Sequence, residues 1–112
     1  MKKIILLLML LAPAFVMANS TRESSSRTTI TRVISYNEFG AGDAVFQVAN
    51  PTSLCSGYWI TKGDPGFEAN LSMIIAAYQA KSTVIVHGLP AENKKWAGSA
   101  NHWCKLYSIE YR

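Results

Sequence analysis

Cysteine, histidine and tryptophan are the residue types whose positions most narrow the chemistry open to this chain. Cys55 and Cys104 are its only thiols, and His87 and His102 its only imidazoles. A structural metal needs about four ligands at close spacing. Neither Cys-x-x-Cys nor His-x-x-x-His occurs, so no metal and no cofactor is expected. Nucleophilic hydrolysis needs a Ser, Cys or Thr beside a base that an acid orients. His87 or His102 is of the type for the base, and Asp43 or Glu38 for the acid. No Gly-x-Ser-x-Gly turn marks a nucleophile, so both histidines read as surface or hydrogen-bonding residues. Asp64 and Glu68 read as helix-start residues rather than as paired carboxylates that cleave sugars. The expectation is a protein that is not an enzyme, with no catalytic residue.

The late aromatics carry the sharper chemistry. Trp96 follows Lys94-Lys95 in a polar loop, and Trp103 stands beside His102 at a strand start. An indole offers a flat apolar face and one N–H donor. Such faces stack on sugar rings while Lys, Asn, Ser and His groups bond the hydroxyls. Trp96, Ser99, Asn101, His102 and Trp103 therefore form the candidate ligand-binding cluster. The competing reading is that these tryptophans plug one end of the fold or cover the cysteines. Trp59 reads as core. Gly40-Ala41-Gly42 lies between two strand-like runs, so it reads as a turn rather than a phosphate loop.

The N-terminal end sets the compartment. Met1-Lys2-Lys3 is basic, Ile4 to Leu11 is unbroken apolar sequence, and Val16 and Ala18 suit the small positions of a cleavage site. Residues 1–18 therefore read as a signal peptide of a Gram-negative bacterium, with a periplasmic or secreted product. The apolar run is short for a membrane span, which needs about 20 residues. No membrane span is expected after cleavage. The remaining 94 residues carry nine Lys and Arg against seven Asp and Glu, a formal charge of +2. That charge, with no basic cluster beyond Lys94-Lys95, argues against nucleic acid as a partner.

Export makes a Cys55–Cys104 disulfide the expected state. It closes a loop of about 50 residues. Chain-entropy arguments put its contribution near 4 kcal/mol, comparable to the net stability of a small domain.

The elements that must position these groups emerge from patterning. Residues 19–27 are polar and serine-rich, which predicts a flexible tail, with a single domain over 28–112. Thr28–Tyr36, Ala44–Ala49 and Ser56–Thr61 are β-branched or aromatic and read as strands. Asp64-Pro65 suits a helix cap and first turn, and Phe67, Leu71, Ile74, Ile75 and Tyr78 fall on one stripe. A helix is expected over Pro65–Lys81. Ser82–His87 and Trp103–Tyr111 read as the last two strands. The latter has Trp103, Lys105, Tyr107, Ile109 and Tyr111 on one face, and Cys104, Leu106, Ser108 and Glu110 on the other. The order β-β-β-α-β-β predicts a mainly β fold with one helix (α+β). Its expected form is an OB-fold-like five-stranded barrel.

Size, export, one disulfide and this element order resemble the B subunits of AB5-type toxins. The resemblance covers about Thr28 to Arg112 and rests on topology. It implies an exported, glycan-binding protein that forms a homo-oligomeric ring, and it carries over no binding residue. The chain is also similar to small exported proteins of Gram-negative bacteria in Cys55-Ser56-Gly57-Tyr58-Trp59-Ile60, Trp96-Ala97-Gly98-Ser99 and Cys104-Lys105-Leu106. The alternative function is a periplasmic protein-interaction module or enzyme inhibitor, with a protein rather than a glycan as ligand.

Overall fold

The computed structural model describes residues 21–112, and the expected signal peptide lies outside them. Its strands are β1 (Glu23–Ser24), β2 (Ile30–Ser35), β3 (Ala44–Val48), β4 (Gly57–Ile60), β5 (Val84–Leu89) and β6 (Trp103–Tyr111). The helix α1 (Phe67–Ala80) lies between β4 and β5. The six strands form one sheet in the order β1-β5-β6-β4-β3-β2. Only β4 and β6 run parallel. The protein is therefore mainly β with one helix. Thr28, just ahead of β2, makes one isolated bridge with Val84 of β5, and β2 and β5 share no ladder, so the sheet is not closed.

A sixth strand adds to the five expected, and it lies in the segment expected to be loose. Glu23 and Ser24 pair with Gly88 and His87. The Ser25 amide donates to the Val86 carbonyl at 2.9 Å, and the Val86 amide donates to Ser25 Oγ at 2.9 Å. The Glu23 carboxylate accepts from the Thr52 hydroxyl and from the Leu54 amide at 3.3 Å. These ties are polar and main-chain, so they leave no apolar pattern in the sequence.

One face of the sheet carries the larger core. Phe46, Tyr58, Ile60, Val84, Val86 and Leu106 bury there with the Cys55–Cys104 disulfide, whose Cα atoms are 5.4 Å apart. The Phe46 and Tyr58 rings stack at 5.3 Å. A Cβ on Gly88 would stand 2.8 Å from the Tyr58 ring, so the strand approaches that closely only with glycine there. Burial pushes the Tyr58 hydroxyl up to about 12, with the Glu23 charge adding to the effect and the Thr52 hydroxyl opposing it.

Helix α1 covers this core on a stripe offset from the expected one. Ile74 and Ala77 are buried, whereas Ile75 is 46% and Tyr78 39% exposed. Small Ala77 lets the helix approach, which turns the bulkier Ile75 and Tyr78 outward. Asp64 is not the cap. Its carboxylate accepts from the Thr61 amide at 2.9 Å and pairs with Lys105 at 2.7 Å, and the helix begins at Phe67. Lys81 ends it at φ 56°, in the left-handed region, with its amide bonded to the Ala77 carbonyl.

Strand β6 does not keep the alternation expected of it. Gly88 pairs with Leu106, but His87 pairs with Ser108, so Tyr107 is an extra residue opposite that step. Such a bulge reverses the facing of the residues beyond it. Cys104, Leu106 and Ile109 all reach the core, while Glu110 moves to the outer face alongside His87.

Candidate functional site

The opposite face of the sheet carries a second, smaller cluster of Val45, Trp96 and Trp103, flanked by Ile34, Tyr36 and Trp59. The loop between β5 and β6 folds onto that face. Lys95 Nζ reaches the Ser99 carbonyl at 2.8 Å, and the Trp96 amide reaches the Trp103 carbonyl at 3.1 Å. The two indoles lie 5.6 Å apart, and Phe39 packs edge-on against Trp96 at 5.5 Å. Trp96 Nε1 donates to Asp43 Oδ2 at 2.8 Å. Gly57 and Gly98 make room, since a Cβ on either would stand about 2.5 Å from the Trp103 or Trp96 ring.

This packing corrects the part assigned to the two tryptophans. Trp96 is 4% and Trp103 6% exposed, so neither turns an open ring face to solvent. Apolar area is worth more against Val45 and Tyr36 than in water, and Asp43 takes up the Trp96 N–H that burial would otherwise orphan. The other three cluster residues lie at the rim. Asn101 is exposed, with its amide on Ser99 Oγ at 3.1 Å. His102 Nδ1 faces Glu92 at 3.7 Å, and its Nε2 is buried with no hydrogen-bond partner among the described residues. The structure thus gathers all five residues but closes the faces on which a sugar would stack. Asp43 serves Trp96 rather than a histidine, and His87 sits on β5 away from the cluster.

An open surface exists beside the cluster, and patterning alone does not reveal it. The register Val45–Trp59–Lys105 runs across β3, β4 and β6 on the outer face. Trp59 is half-buried, with its Nε1 on the Lys94 carbonyl at 3.0 Å and Lys105 Nζ 4.1 Å from its ring centre. A depression of about 140 Å³ is lined by Trp59, Asn93, Lys94 and Lys105. A second, about 300 Å³, shares Lys94 and Lys105 and continues past Asp64, Asn70 and Tyr107. Tyr107 is 52% exposed, and the Arg22 guanidinium lies 4.5 Å from its ring centre. The groove therefore combines two aromatic rings, two amides, two cations and one carboxylate. The sequence signal is weak but present: Trp59 lies between the core residues Tyr58 and Ile60, and Lys105 between Cys104 and Leu106, so each points outward.

Among the described residues no group of three or more His, Cys, Asp or Glu side chains is placed to hold a metal ion. No described helix is long and apolar enough to cross a membrane. No protein-family model matches the chain, and neither a curated protein nor a solved structure matches it.

Proposed function

We propose that the chain is an exported, non-enzymatic binding domain of OB type that takes a glycan in the groove between Trp59 and Tyr107. The observation that carries this reading is the groove's composition. Ring edges and faces suit the apolar side of a sugar, Asn70, Asn93 and the lysines suit its hydroxyl oxygens, and Asp64 accepts from hydroxyl protons. The barrel reading draws support from the strand order, the parallel β4–β6 pair, the helix between β4 and β5, and the Thr28–Val84 bridge. The disulfide supports a periplasmic or secreted location. On this reading the domain is built like the B subunits of AB5-type toxins, and the site lies beside the Trp96 loop rather than on it. A glycan array tests it: binding that Trp59→Ala removes supports the groove, and a flat array speaks against it.

A second reading, a periplasmic protein-interaction module or enzyme inhibitor, is favoured by the outward face of α1. Ile75 and Tyr78 stand exposed there on adjacent turns. The same face suits self-association into a homo-oligomer. Sedimentation separates these. A concentration-dependent oligomer that Ile75→Glu dissolves supports self-association, and a strict monomer leaves the face to a different protein.

A further inference from the structure

We infer that Ser24 is an activated nucleophile, a site that accepts an acyl group from an activated ester or thioester, with His87 as its base. Three adjacent strands bring the groups together. Ser24 on β1 stands directly across from His87 on β5, and the Tyr107 bulge turns Glu110 of β6 toward the same imidazole. Ser24 Oγ lies 2.7 Å from His87 Nδ1, and His87 Nε2 lies 2.8 Å from Glu110 Oε1. The second carboxylate oxygen of Glu110 accepts from Arg112 Nε at 3.0 Å.

The direction of each hydrogen bond is set by the carboxylate. The hydrogen bond from His87, and after it the one from Arg112, hold the Glu110 carboxyl below its ordinary range. An ionised carboxylate only accepts, so His87 Nε2 must carry the proton. Nδ1 of the neutral ring is then a lone-pair acceptor, and the Ser24 hydroxyl donates to it. A hydroxyl aimed at a basic nitrogen that an acid orients is the arrangement by which serine becomes a nucleophile. The ring nitrogens exchange their usual parts here, which leaves the proton chemistry unchanged. Ser24 is exposed, so an electrophile can reach it, while strand pairing fixes its backbone.

The step balances without a further reactant. Ser24 Oγ forms a bond to the acyl carbon as its proton passes to His87 Nδ1. The ester C–O or thioester C–S bond breaks, and the leaving group departs as an alkoxide, phenolate or thiolate that takes up a proton from His87 or water. The reactivity is independent of the groove and goes beyond a binding role. Ser24 is the nucleophile, His87 the base and Glu110 a positioning residue.

The test treats the mature protein with p-nitrophenyl acetate and maps adducts by peptide mass spectrometry. Ser26, two residues away and exposed, is the internal control within the same molecule. The expected result is acetylation of Ser24 far ahead of Ser26, with a stoichiometric release of p-nitrophenolate that Ser24→Ala abolishes. The rate of acetylation should depend on His87. His87→Ala should lower it about 100-fold or more, the usual reach of general-base catalysis. Glu110→Gln should lower it and move the pH profile, which a purely structural tie would not do. Equal labelling of Ser24 and Ser26 would overturn the proposal, and this comparison needs no variant to fold.

Discussion

The two faces of the sheet are stabilised by different means. The α1 side is an apolar core of Phe46, Ile60, Val84 and Val86 closed by a covalent bridge between Cys55 and Cys104. The outer side is three tryptophans and Val45, tied through single polar contacts: Trp96 to Asp43, Trp59 to the Lys94 carbonyl. The first side is bulk burial with one cross-link. The second is aromatic area in which two of the three indole N–H groups, those of Trp59 and Trp96, find acceptors. Trp103 Nε1 and one oxygen of Asp43 are buried without a hydrogen-bond partner among the described residues. The groove lies along the margin of this face.

That contrast can be broken most forcefully at the cross-link. Replacing Cys55 and Cys104 together by serine should cost about 4 kcal/mol, read as a lower denaturant midpoint, because the loop between them regains its freedom in the unfolded chain. A loss no larger than that of a single polar contact would erase the distinction. A smaller effect on the same face is set by Tyr58. Its hydroxyl is raised from 10.0 to about 12, so the stability it confers is complete below pH 10 and is lost as pH climbs through 12. A two-unit shift corresponds to about 2–3 kcal/mol across that window. Tyr58→Phe should flatten the alkaline limb of an unfolding series, and an unchanged limb would show that Tyr58 ionises as freely folded as unfolded. On the tryptophan face, Trp96→Phe keeps most of the ring but leaves Asp43 buried with its one donor gone. The expected loss is about 2 kcal/mol by thermal or chemical unfolding. A neutral outcome would mean that packing alone holds the loop, and the two faces would then be alike.

Much of the first face is legible in the sequence, and little of the second. β-branched runs mark β2, β3 and β5, and an N-terminal stretch that reads as a signal peptide, together with two cysteines, marks the disulfide. Alternation fails at Tyr107, because a bulge is one inserted residue and leaves no compositional trace. That single residue decides whether Glu110 or Ile109 faces the core. The segment Glu23–Ser25 looks loose in the sequence because the bonds of Ser25 with Val86 and of Glu23 with Thr52 and Leu54 leave no apolar pattern. The stripe on α1 is legible, but its centre is not. Periodicity ranks Ile75 and Ala77 by size, while packing selects the smaller residue. For the candidate site, the sequence singles out the Trp96 loop but leaves open whether its tryptophans are buried or exposed, and the structure buries both. Burial of Trp96 depends on Asp43, more than 50 residues earlier. Nothing near Trp96 announces that partner.

The central claim is that ligand meets the molecule at the Trp59 groove. Nuclear magnetic resonance titration of the ¹⁵N-labelled domain with the strongest glycan from the array tests it most directly. The account predicts shifts concentrated at Trp59, Asp64, Asn70 and Lys105, with the Trp96 and Trp103 indole signals little changed. Shifts centred on Asn101 and His102, or on Phe39, would contradict it, as would the absence of any glycan that binds.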